Sequence, residues 1–212
     1  MSYSDDDSEE LQLSIEAQKA LKEFYEEQNG KLLTLCDDKK DVSNVQFDED
    51  WQLSQFWYDE NTCEQITKCA LQKVGIHGTI ALISCPTLYK AFKKKLPSIS
   101  IKLLEYDKRF SAYGTDFIFY DYNEPFKLDK ELLHNFDLVI VDPPFLSEEC
   151  LTKSIQTAKL LMKNYVILCT GEIMESIAIP LLNVHKCSFE PRHKNNLANQ
   201  FACFTNFSSE LD

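Results

Sequence analysis

The chain has 212 residues, 44% hydrophobic and 26% charged, with a formal charge of −12. That length suits one compact α/β domain with a terminal arm, and the composition excludes collagen, coiled coil and wholesale disorder. The acidic balance disfavours a surface that grips a phosphate backbone, so nucleic acid is not expected as a partner and a basic protein is.

Residues 1–12 read as an acidic disordered tail. Residues 1–50 carry fifteen Asp/Glu against five Lys, whereas the rest holds nineteen acids and seventeen bases, so the acidity belongs to the arm. Residues 13–50 read as an N-terminal helix and a linker: Ala17, Ala20, Leu21, Phe24 and Tyr25 recur at helical spacing until Gly30. The domain proper is expected over 51–212. It opens on Trp51–Tyr58 (WQLSQFWY), the densest aromatic stretch, and Thr62 and Gln65 have the spacing of a capping box for a helix to Val74.

Strand patterns then alternate with helix patterns. Strands are predicted at Thr79–Ser84, Ile99–Glu105, Phe117–Asp121, Phe136–Val141 and Tyr165–Cys169, several almost wholly apolar, as in a parallel sheet covered on both faces. Helices are predicted at Thr87–Lys95, Asp129–His134, Ser147–Leu161 and Glu172–Leu182. Lys186–Glu190 and Phe201–Phe207 have no helix-length pattern between them, so they should pair as an antiparallel hairpin. The result is an α/β, doubly wound sheet with a mixed edge. Lys93-Lys94-Lys95 reads as the dipole-complementing end of a helix.

The eight cysteines form no CxxC and no clustered ligand set, so reduced thiols and no metal are expected. No apolar run approaches the roughly 20 residues of a membrane span. The opening MSYSDDDSEE has neither a secretory nor a transit pattern, so the chain is expected to be soluble and cytoplasmic.

Chemistry concentrates at Asp142-Pro143-Pro144-Phe145, where a buried strand ends. The carboxyl ends of the strands are where open α/β sheets place their ligands. Two consecutive prolines lock φ and lack N–H groups, so the loop is rigid and its carbonyls stay free as acceptors. Asp142 and the Pro143 carbonyl can together accept the two hydrogens of an amine, and Phe145 offers a wall for a base or a cation.

Val139–Phe145 resembles the (D/N)PP(F/Y/W) motif of amino-methyltransferases, which move a methyl group from S-adenosylmethionine to an exocyclic or side-chain nitrogen. The wider chain is similar to the eukaryotic elongation factor 1-alpha lysine methyltransferases. The similarity lies in Trp51–Tyr58, Glu105–Phe110 (EYDKRF), Asp116–Asn123 (DFIFYDYN), Asp142–Cys150 (DPPFLSEEC), Leu168–Gly171 (LCTG) and Pro191–Ala198 (PRHKNNLA). It covers residues 13–212 and implies a seven-stranded class I methyltransferase sheet, S-adenosylmethionine as cofactor and elongation factor 1-alpha as protein substrate of a monomer. It also implies catalytic roles for Asp142, Pro143, Pro144 and Phe145. Glu105, ending the second strand, would receive the ribose hydroxyls, with Asp107 as a near alternative whose plainer role is a helix N-cap. Asp121 would accept from the adenine amino group. Phe56 and Thr62 would belong to a lid, and Ser84 to the loop after the first strand. That loop, Ser84-Cys85-Pro86-Thr87, lacks the glycines usual there, and no GxGxxG exists for NAD or FAD.

Two other readings share the motif. One is an N6-adenine methyltransferase on DNA or RNA, which would want a basic channel to extrude a base. The other is a catalytically silent binding subunit, against which the intact DPPF argues.

Overall fold

The computed structural model describes residue 19, residues 47–195 and residues 197–212. The acidic tail, the linker and, apart from Lys19, the helix expected over 14–29 lie outside the described residues.

The α/β unit contains a seven-stranded sheet of order β3-β2-β1-β4-β5-β7-β6. Its strands are β1 (Thr79–Ile83), β2 (Ser100–Glu105), β3 (Phe117–Phe119), β4 (Phe136–Val141), β5 (Met162–Gly171), β6 (His185–Lys186) and β7 (Phe201–Thr205). The first five pair in parallel, and β7 runs antiparallel between β5 and β6. This is the expected doubly wound sheet with its C-terminal hairpin. The helices are α1 (Glu60–Val74), α2 (Pro86–Lys95), α3 (Glu148–Leu161) and α4 (Glu175–Leu182).

The unbroken apolar runs have a direct cause, because successive side chains point to opposite faces and both faces are covered. Ile80 and Leu82 of β1 join Leu138 and Ile140 of β4 in one core with Ile66 of α1 and Leu88 and Phe92 of α2. Ala81, Ile83, Val139 and Val141 enter a second core with Leu151 and Ile155 of α3 and Ala178 of α4. Truncating one of the leucines or isoleucines among them to alanine costs about 2–5 kcal/mol.

Several expectations are corrected. The helix at 129–134 is a single 3-10 turn, Lys130–Leu132. Its apolar pair is too small to anchor a helix: Leu133 is 37% exposed, and His134 turns into the left-handed region at φ 49°. The Glu172–Leu182 pattern divides into a 3-10 turn, Glu172–Met174, and α4. The capping box at Thr62 and Gln65 does not form. Asp59 is the N-cap, and its Oδ1 accepts from the Thr62 N–H at 2.7 Å. All seven described cysteines are free and buried. Among the described residues no helix is long and apolar enough to cross a membrane.

Candidate active site

The strand order reverses between β1 and β4, whose crossovers run to opposite faces, so a crevice opens beyond their carboxyl ends. At the end of β1 the glycine-free loop solves its turn with a serine. Ser84 adopts φ 56°, its N–H donates to the Leu104 carbonyl at 2.9 Å, and Pro86 starts α2. A left-handed residue with a Cβ costs about 1–2 kcal/mol, which the flanking ladder holds in place. At the end of β4 the Asp142 N–H donates to the Ile83 carbonyl at 3.0 Å. The two prolines then leave the ladder, and Phe145 emerges 42% exposed beside Tyr122, ring centroids 5.8 Å apart.

A cavity of about 570 Å³ occupies the crevice. Phe56, Ser84, Glu105, Asp121, Asp142, Pro143, Pro144 and Phe145 all line it, so eight of the nine residues singled out in the sequence meet around one space. Thr62 is the exception. It is buried in α1, and its hydroxyl accepts from the Arg192 N–H at 2.8 Å, so it pins a backbone segment and does not line the cavity.

Three carboxylates face the cavity in different settings. Glu105 is buried. Its Oε1 accepts from the backbone N–H groups of Tyr106 (3.0 Å) and Asp107 (3.2 Å), and Oε2 has no hydrogen-bond partner among the described residues. Burial outweighs those N–H groups and pushes its pKa up to about 7. Asp142 is likewise pushed up to about 7, by burial first and by the charge of Glu105. The Tyr58 hydroxyl opposes that shift by donating to Asp142 Oδ2 at 2.6 Å. Asp121 accepts from the Asn123 N–H through Oδ1 at 2.8 Å, so it forms a turn and lines the cavity at once.

The roof comes from two distant segments. Residues 51–58 are tied to the end of β2 by a buried polar knot. Gln55 Nε2 donates to Asp107 at 2.9 Å, Arg109 Nε donates to the same oxygen at 2.7 Å, and Arg109 Nη2 donates to Gln55 Oε1 at 2.9 Å. Asp107 also caps the 3-10 segment Lys108–Asp116, as its plainer reading implies. The second segment follows β6. His193 forms a β-bridge with Tyr58, the Asp59 N–H donates to Arg192 O at 2.9 Å, and the Lys194 N–H donates to Trp57 O at 2.8 Å. The His193 ring packs between Tyr58 (4.9 Å) and Phe201 (4.6 Å). Burial lowers its pKa to about 4, so it is neutral at pH 7 and serves as a packing residue.

Sequence reasoning missed the Tyr58 hydroxyl and the Gln55–Asp107–Arg109 knot, because each joins positions more than fifty residues apart. It also overlooked a local signal. His185, on the edge strand β6, and Cys187, just after it, bring ligand-type atoms within 4.8 Å of one another together with Asp212. This group does not line the cavity, and His185 and Asp212 are already bonded at 2.8 Å.

A seven-stranded sheet of this order, with acids closing β2 and β4 around a cavity at the reversal point, is the Rossmann-like sheet of class I methyltransferases. The fibrillarin pre-rRNA processing protein of Methanococcus jannaschii shares it, with 11% identity and a TM-score of 0.51 over 79% of this chain and 84% of that one. A family model described as "Probable N6-adenine methyltransferase" matches residues 49–209. EEF1A lysine methyltransferase 1 of Homo sapiens is 47% identical over 209 residues, covering 98% of this chain and 97% of its own. Protein-lysine N-methyltransferase EFM5 of Saccharomyces cerevisiae is 39% identical over 92% of this chain and 91% of its own. The chain belongs to this methyltransferase family, in the branch of the EEF1A lysine methyltransferase 1 proteins.

Proposed function

We propose that this chain is a cytoplasmic, S-adenosylmethionine-dependent protein-lysine N-methyltransferase whose substrate is elongation factor 1-alpha. The similarity to relatives named for that activity runs nearly the full length of both chains. The observation that carries the reading is the DPPF segment at the cavity floor, where a carboxylate and a proline-locked carbonyl stand together beside an exposed aromatic ring.

The cavity's donor set fits the cofactor. A buried and a half-buried carboxylate, both raised to about 7 by desolvation, suit a cationic ligand, because a positive charge among them stabilises their ionised forms. Glu105 would hold the ribose hydroxyls and Asp121 the adenine amino group, with Phe56 and Ser84 completing the lining that would hold the cofactor. When bound, the cofactor supplies an activated sulfonium methyl, so the protein's task is to place a nitrogen lone pair in line behind it.

Asp142 and the Pro143 carbonyl accept the N–H groups of the incoming lysine amine and orient its lone pair. A free lysine titrates near 10.4, and desolvation against a second cation lowers that value until the proton leaves to water at the cavity mouth. Asp142 then stabilises the ammonium formed on methylation. Phe145 adds a cation–π contact of about 0.5–2 kcal/mol.

The test is transfer of radiolabelled methyl from S-adenosylmethionine to purified elongation factor 1-alpha, with DNA and RNA oligonucleotides in parallel. Label is expected in the protein, sensitive to protease and resistant to nuclease. Label in adenine would establish the nucleic-acid reading instead.

A further inference from the structure

We infer that Tyr58 is a positioning residue for methyl transfer: its phenol holds one oxygen of Asp142 and so fixes which oxygen faces the acceptor nitrogen. The inference rests on the proposed lysine methyltransferase activity and adds to it a residue outside the DPPF motif.

The geometry leaves Asp142 little choice. Its Oδ2 accepts from Tyr58 at 2.6 Å, a length typical of a charge-assisted O–H···O⁻ bond. Its Oδ1 has no donor among the described residues, so that oxygen is available to an incoming N–H. With the carboxyl fixed at Cγ and at Oδ2, rotation about χ2 is arrested and Oδ1 is aimed.

The groups around Asp142 give it no other support. Glu105 reaches it from β2 and carries the same charge. Cys85, in the turn after β1, directs its thiol to the Ile140 carbonyl at 3.6 Å. Cys169 lies on β5, within electrostatic range of Tyr58 and Cys85. His193, packed on the Tyr58 ring, is neutral. No Lys or Arg pairs with Asp142 among the described residues, so before a cationic ligand arrives the phenol is the one group that favours the charged carboxylate.

Tyr58 is itself held rigidly. It is 1% exposed and fixed through its backbone to His193, with Asp59 and Trp57 bonded to the same segment on either side. The phenol cannot swing to water, and burial beside Asp142 drives its own pKa far above the ordinary value, so it remains a donor throughout the working pH range. The bond therefore links the roof over the cavity to the group that receives the substrate nitrogen.

The plainer account is that Asp142 merely satisfies a buried hydroxyl, and pH separates the two. In Tyr58→Phe, the Asp142 carboxyl, followed by carbon-13 NMR of labelled aspartate in the ligand-free full chain, is expected to titrate about one pH unit higher, the scale of a charged hydrogen bond. Cofactor affinity stays within about threefold. Turnover on elongation factor 1-alpha falls about fivefold at pH 7 and recovers most of that by pH 9, as ionisation is restored without help. KM for the protein substrate moves less than kcat. An unshifted Asp142 titration, or the same fractional loss of turnover at every pH, would overturn the inference.

If Tyr58→Phe fails to fold, 3-fluorotyrosine installed at position 58 keeps the ring and strengthens the donor. Asp142 must then titrate at lower pH, and an unchanged midpoint overturns the inference. A wild-type chain that labels no lysine refutes the proposed function, whereas the NMR titration still decides whether Tyr58 governs Asp142.

Discussion

Cofactor affinity should depend on pH through Glu105, and the size of the effect follows from its setting. Burial holds Glu105 near 7 in the ligand-free protein, well above an ordinary glutamate near 4.3. S-adenosylmethionine needs the ionised form, for its charge and for both lone-pair edges. About nine in ten molecules carry the inhibitory proton at pH 6 and about one in ten at pH 8, so affinity should rise about tenfold across that interval. Asp142 is raised by burial and by Glu105 in turn, so the pair loses its protons in linked steps and the slope can exceed that of a single group. The stability term has the opposite sign. A carboxyl whose folded pKa is raised contributes stability that is fully present below about pH 4 and lost as the pH rises toward 7. The ligand-free domain therefore loses this contribution where the cofactor binds best, and the thermal shift on cofactor addition should be larger at pH 8 than at pH 6. Isothermal calorimetry in two buffers of different ionisation enthalpy measures both the affinity and the protons released. Glu105→Gln should flatten the profile. An affinity that changes by less than about twofold from pH 6 to pH 8, or an equal slope in Glu105→Gln, would refute the reasoning.

Four further outcomes are expected. Asp142→Asn keeps the size of the side chain but not its charge, and should reduce turnover by about 2–4 kcal/mol in activation free energy, the scale of losing one oxyanion-hole donor, with cofactor affinity within several-fold by calorimetry. Asp107→Asn should cost about 2–3 kcal/mol in denaturant unfolding, because the Arg109 charge loses its partner and the roof is released. Thr62→Val removes the partner of the Arg192 N–H, so it should lower stability by about 1 kcal/mol while changing cofactor affinity less than Glu105→Ala does. Removal of residues 1–12 should leave cofactor binding unchanged but flatten the salt dependence of substrate association, as measured by stopped-flow.

What the sequence made legible was what is local. The apolar runs of β1, β2 and β4 follow from a sheet covered on both faces, and DPPF is contiguous, so both could be found by reading along the chain. Glu105 and Asp121 follow from their places relative to β2 and β3. That Thr62 stands away from the cavity was not legible, because a hydroxyl near a helix start looks available until its partner, Arg192, is known, 130 residues away. The turn at 130–132 failed because a short apolar pair carries no information on whether a neighbour will cover it. Ser84 stands where the glycine pattern would place a glycine. Its left-handed φ was hidden because backbone strain is set by the ladder on both sides and not by the residue itself.

The place of β7 has a consequence for how the molecule comes into being. Residues 201–205 insert between β5 and β6, so β6 has no neighbour on the sheet until that later segment has been made. During synthesis the chain therefore passes through a stage in which β5 presents an unpaired edge and His193 lacks Phe201, one of the two rings it packs between. A ribosome-bound chain stalled before residue 201 has emerged should hold its parallel strands but leave the roof undocked. The enzyme would then be silent while it is being made, its competence arriving with one of its last strands.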